Sequence, residues 1–140
     1  MTITEVHRDL FTVDDSYMLV HCIGADLRMG AGIAVPMQKK FGLRGKIRAK
    51  CESIPCPACV QTGRVCNLIT KKRSSGKPTY NSLQAALYQL KEIVQNKAIQ
   101  KLAMPKIGCG LDKLQWGKVR EMLIQTFDDT KVEILVCVWK

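Results

Sequence analysis

Several features that would assign this chain to a common class are missing. No Gly-x-Gly-x-x-Gly and no Gly-x-x-x-x-Gly-Lys-[Ser/Thr] occurs, so neither a Rossmann dinucleotide site nor a P-loop kinase is indicated. The longest apolar run, Met18 to Ile23, is far shorter than the ~20 residues of a membrane span. No apolar segment of the secretory kind follows Met-Thr-Ile-Thr-Glu at the N-terminus. These absences predict a soluble protein with no membrane partner, intracellular, in the nucleus and/or the cytoplasm. Aromatic residues are scarce, with three Phe, three Tyr and two Trp, too few stacking surfaces for a reader of single-stranded sequence. Repeats and low-complexity segments are absent as well.

Acid is the scarcest commodity in the middle of the chain. Residues 27–91 hold thirteen Lys or Arg against a single acid, Glu52, a net charge of +12 within a total of +10. The remainder therefore nets −2. Such a block attracts phosphate, whether of a nucleotide ligand or of a nucleic-acid backbone, and equally describes a plain solvated basic surface. The stretch from Lys39 to Lys50, which includes Arg44, fits the solvated surface best. Cysteine is present seven times, at positions 22, 51, 56, 59, 66, 109 and 137. An odd number without a secreted context points to reduced thiols. Cys56-x-x-Cys59 with Cys51 and Cys66 lacks the paired knuckles of strong zinc modules, so no metal is expected.

The 140 residues are enough for one domain, 1–140, with its own core. Ile3 to Leu10 alternates loosely, and Tyr17 to Ile23 is apolar throughout, as in a strand buried on both faces. A helix from Ile33 to Phe41 and a short basic one after it lead to two strands between Val60 and Ile69, turning at Thr62-Gly63. Leu83, Ala86, Leu87, Leu90, Ile93 and Val94 make a helical stripe with Thr79 as N-cap. Strand Leu102 to Ile107, a helix from about Gln115 to Phe127 and strand Val132 to Trp139 follow. Helices alternating with strands predict an α/β fold, a three-layer α/β/α sandwich with a mixed central sheet.

Two glycine loops leave strands and enter helices: Met29-Gly30-Ala31-Gly32-Ile33 and Ile107-Gly108-Cys109-Gly110-Leu111-Asp112. Glycine permits positive φ and close backbone approach, and free N–H groups at a helix start attract anions. In open α/β sheets such loops meet at the carboxyl ends of the strands. A phosphate-rich ligand between them is the expectation.

These segments, with Asp9-Leu10-Phe11, His21-Cys22-Ile23, Thr70-Lys71-Lys72-Arg73 and Lys77-Pro78-Thr79-Tyr80, make the chain resemble a macro domain. Within that family it looks like the terminal ADP-ribose protein glycohydrolase branch, and the similarity runs nearly end to end. The resemblance implies an ADP-ribose-binding hydrolase that removes ADP-ribose from glutamate- or aspartate-linked proteins without a cofactor. It makes Lys71 the catalytic lysine and Asp112 its acidic partner. Asp9 and Leu10 would meet the adenine, and Met29, Gly30, Ala31, Gly32, Ile33, Ile107, Gly108, Cys109, Gly110 and Leu111 would hold the diphosphate and distal ribose. His21 and Thr70 complete that implied set, although His21 by its setting alone is expected to be a structural histidine bonded to backbone. Lys71 by residue type alone is one more solvated lysine. Arg8 and Gly24 depart from the family pattern, where Gly and Ser are common, and residues 51–66 do not carry the resemblance. ADP-ribose and ADP-ribosylated proteins are the implied partners. O-acyl-ADP-ribose, modified nucleic acid through the basic 27–91 block, and a reader of ADP-ribose or nucleic acid without turnover remain open.

Overall fold

The computed structural model describes residues 1–139. Among them, β1 (Thr2–His7), β2 (Met18–Gly24), β3 (Ala58–Thr62), β4 (Val65–Lys71), β5 (Lys101–Met104) and β6 (Glu133–Val138) form one sheet in the order β1-β6-β5-β2-β4-β3. β3 runs antiparallel to β4, and every other neighbouring pair is parallel. Parallel neighbours need crossovers rather than hairpins. The crossovers carry α1 (Ala34–Phe41), α2 (Leu43–Lys50), α3 (Tyr80–Asn96) and α4 (Trp116–Phe127).

Apolar patterning decides which side each helix covers. Leu83, Ala86, Leu87, Leu90 and Val94 of α3 join Val119, Leu123 and Phe127 of α4 in one core layer, against Val20, Cys66, Leu68 and Leu102 of the sheet. Ala34 and Met37 of α1, Leu43 and Ile47 of α2, and Leu10 fill the opposite layer against Leu19, Ile23, Val65 and Ile69. β2 and β4 thus bury both faces, which is why they read as continuous apolar runs. The architecture is the expected α/β/α sandwich with a mixed sheet. Thr79 caps α3 as expected: its hydroxyl accepts from Ser82 N at 3.0 Å while Ser82 Oγ accepts from Thr79 N at 2.9 Å.

Three boundaries differ from the sequence reading. β1 stops at His7, because the Asp9 carboxylate accepts from Phe11 N and opens a 3-10 turn at Leu10–Thr12. β5 stops at Met104, since Pro105 has no N–H to continue a ladder. The β3–β4 hairpin turns on Gly63-Arg64, one position later, with Gly63 at φ +58°. No helix among the described residues is long and apolar enough to cross a membrane.

Candidate functional site

β5, β2 and β4 are adjacent in the sheet, so the segments leaving their carboxyl ends come out side by side. They wall a cleft of about 330 Å³, lined by Met29 to Ala34 from the first glycine loop and by Pro105 to Gly108 and Gly110 to Asp112 from the second. Lys71, Ser74, Ser75, Gly76 and Lys77 form the third wall, with Cys22, Ile23 and Gly24 at its floor.

Lys71 Nζ and Asp112 Oδ1 are 2.5 Å apart, with side chains 13 % and 14 % exposed. The pair joins the end of β4 to the second glycine loop across 41 positions of sequence. A register slip prepares it: Ile23 pairs with Ile69 but Gly24 with Lys71, leaving Thr70 as the extra residue of a bulge. Such a bulge re-aims the following side chain. Beyond it, Ala25 N donates to Lys71 O at 2.8 Å, and Asp26 accepts from Ser74 N at 2.8 Å and from Ser74 Oγ at 2.6 Å. Burial works to raise the Asp26 carboxyl, but the Ser74 and Arg28 hydrogen bonds outweigh it and hold it below the usual carboxylate range. Gly24 is required by space, because a Cβ there would lie 2.8 Å from Ser74 N. Lys77 Nζ donates to Leu111 O at 2.7 Å, a second tie between the lysine loop and the Asp112 loop. Lys72 and Arg73 are exposed.

The glycine loops use their glycines unequally. Gly32 (φ +59°) and Gly108 (φ +72°) take the left-handed conformation. At Gly32 a Cβ would make ordinary contact with Leu111, whereas at Gly108 it would come within 3.1 Å of Leu114. Two non-glycine residues at the entry of the first loop, Leu27 (φ 56°) and Met29 (φ 47°), are left-handed too. Arg44 at the start of α2 donates from Nε to Leu27 O at 2.8 Å and from a terminal nitrogen to Arg28 O at 2.7 Å. Arg44 was expected on a solvated face. It is instead half-buried against this turn. Gly30, Ala31, Gly32 and Ile33 donate no backbone hydrogen bond to any acceptor among the described residues.

Comparison with known proteins supplies the family. No protein-family model matches the sequence. The chain is 43% identical over 136 residues, 96% of its length and 90% of the relative's, to the human protein named ADP-ribose glycohydrolase OARD1, and equally to its Bos taurus counterpart. This chain is a macrodomain protein of the OARD1 family. The fold agrees: the macrodomain of Mycobacterium tuberculosis DarG superposes with a TM-score of 0.83 at 23% identity, covering 99% of this chain and 97% of that one. Thermosipho africanus DarTG in complex with ADP-ribose gives 0.80 at 16% identity, over 98% of this chain and 41% of that one.

In this macrodomain Lys71, Asp112, Met29, Gly30, Ala31, Gly32, Ile33, Ile107, Gly108, Gly110 and Leu111 share the cleft wall. Asp9, Leu10, His21, Thr70 and Cys109 are not part of that wall. Asp9 caps its 3-10 turn and Leu10 is a core residue at 2 % exposure. His21 is structural but not backbone-bonded: its Nε2 pairs with Asn67 Oδ1 at 2.7 Å, and Asn67 in turn donates to Val60 O. Burial lowers the His21 pKa to about 4 despite that bond. The charge of Asp112 acts on two thiols, Cys22 and Cys109. Burial pushes both up, Cys109 to about 11, so neither is a thiolate nucleophile at neutral pH. Cys51 and Cys56 pack on one face of the sheet and Cys59 and Cys66 on the other, so the four do not converge. Asp26, Ser74 and Arg44 are the positions that sequence reasoning missed, since their partners lie 16 to 48 residues away.

Proposed function

We propose that this macrodomain is an ADP-ribose glycohydrolase in which Lys71 attacks C1″ of the distal ribose and Asp112 carries the proton. The Lys71–Asp112 contact of 2.5 Å, in a cleft walled by both glycine loops, is the observation that carries the reading. It is supported by the OARD1 relatives, named as ADP-ribose glycohydrolases, and by the DarTG structure with ADP-ribose. The loops provide donors for a diphosphate without further cations.

The substrate class is a protein carrying ADP-ribose as an ester on glutamate or aspartate, and O-acyl-ADP-ribose offers the same acyl linkage. Lys71 must first lose a proton, and Asp112 is in contact to take it. The amine then bonds to C1″, the carboxylate leaves with its electron pair, and Asp112 returns the proton to the departing acid. Ring opening turns the adduct into an imine. Water adds to the imine carbon, the amine departs, and ADP-ribose and free lysine result, for a net consumption of one water. Burial raises the thiols of Cys22 and Cys109 and so disfavours them as competing nucleophiles beside Lys71.

Borohydride added during turnover of a glutamate-linked substrate is the test. Wild type is expected to retain an ADP-ribosyl mass on Lys71, and Lys71→Ala none. A Lys71→Ala protein that releases ADP-ribose at the wild-type rate removes the lysine from the mechanism. A wild type that binds ADP-ribose but releases none from protein or nucleic-acid esters is a reader instead.

A further inference from the structure

We infer that Arg44 is a positioning residue for the diphosphate loop: its guanidinium grips the back of the Leu27–Met29 turn and so sets the direction in which Met29 and the glycine stretch after it enter the cleft wall. This rests on the reading of the cleft as an ADP-ribose site.

The argument begins with peptide geometry. C=O and N–H of one trans peptide point in opposite directions. Leu27 O and Arg28 O both face Arg44, at 2.8 and 2.7 Å, so the N–H groups of Arg28 and Met29 face away from it. The Arg28 N–H meets Asp26 Oδ1 at 3.2 Å, and Met29 opens the stretch that lines the cleft. The turn that presents both carbonyls to Arg44 is irregular backbone. Leu27 and Met29 lie at φ 56° and 47°, a conformation that residues other than glycine rarely adopt. Such strain persists where surroundings over-determine it. Here Leu27 and Met29 are buried at 1 % and 6 % exposure, and Arg44 fixes the carbonyls. Arg44 is itself held, its N–H donating to Gln38 Oε1 at 2.8 Å.

A planar fork of donors matches two carbonyls; a lysine ammonium on a flexible stem does not. The guanidinium bonds on the loop's outer side, so it is not a ligand for the diphosphate.

Calorimetric titration with ADP-ribose tests the inference on wild type, Arg44→Ala and Arg44→Lys, with Ile47→Val as a stability control in the same helix. Arg44→Ala is expected to weaken ADP-ribose binding about tenfold and to raise KM with kcat within about twofold. Arg44→Lys should recover less than half of that loss on a logarithmic scale, and Ile47→Val should lower melting without changing affinity. Amide exchange at residues 27–33 is expected to accelerate in Arg44→Ala while β5 stays protected. Wild-type affinity in Arg44→Ala, or full rescue by lysine, overturns the inference. If wild type itself binds no ADP-ribose, the reading of the cleft fails, and unchanged exchange at 27–33 is then the result that overturns the brace.

Discussion

The two glycine loops face each other across the cleft but are held by opposite means. The first, Gly30 to Ile33, is fixed from behind: buried Leu27 and Met29 and the Arg44 fork hold the turn that precedes it. The second, Gly108 to Asp112, is fixed from the front, by Lys71 on Asp112 and Lys77 on Leu111 O, side chains that also line the cleft. A loop braced from outside keeps its shape whatever occupies the cleft. A loop tied by cleft residues changes its bonding when a ligand or a proton transfer engages them. On the function proposed above, the first loop would serve binding and the second chemistry.

The sharpest break of this comparison is at the second loop. Lys71→Ala is expected to cut turnover by about 10³-fold or more, and Asp112→Ala by roughly 10²–10⁴-fold, as losses of a nucleophile and a proton carrier. ADP-ribose affinity, measured by calorimetry, should change less than tenfold in either, because the backbone donors remain. Gly108→Glu reverses the pattern. Its φ of +72° and the 3.1 Å approach of Leu114 to a Cβ predict a loss of affinity of about 30-fold, near 2 kcal/mol, with about 1–2 kcal/mol of stability lost to the left-handed conformation.

Gly24→Ala probes the lysine loop without touching either glycine loop. A Cβ 2.8 Å from the Ser74 backbone must push the loop away. Overpacking of this kind costs about 1–3 kcal/mol in melting studies, and displacing Lys71 should lower kcat more than it raises KM. The smallest expected effect on the site comes from His21, which is buried in β2 and bonded to Asn67. Its folded pKa of about 4 lies below the unfolded value of 6.5, so the unfolded chain binds the extra proton between those values. The stability involved is complete above pH 6.5 and falls by about 3 kcal/mol as pH drops through 4. Denaturant titrations from pH 7 to 3.5 should show that slope, and His21→Gln should lose it while retaining ADP-ribose binding at pH 7.

The elements themselves were legible in the chain because their signals are local. The stripe from Leu83 to Val94 fixes α3 and its buried side, Thr79 caps it, and the apolar runs of β2 and β4 announce strands covered on both faces. Glycine loops after such strands indicate where a cleft opens. Errors fell where local patterns end in tertiary contacts. The Asp9 cap shortened β1, Asn67 rather than backbone took the His21 hydrogen bond, and Arg44 left its charged row for two carbonyls.

The sequence by itself determined the strand and helix order, the α/β/α layering, and the two loops able to present N–H groups to an anion, because periodicity and glycine act within a few residues. Tertiary structure alone decided that Lys71 meets Asp112, that Asp26 holds Ser74, and that Arg44 grips the turn before the first loop. Those contacts span 41, 48 and 16 to 17 positions. They depend on strand order and on a one-residue bulge at Thr70, opposite the Ile23–Gly24 step, and sheet register is set by the pairing of distant strands rather than by any single segment.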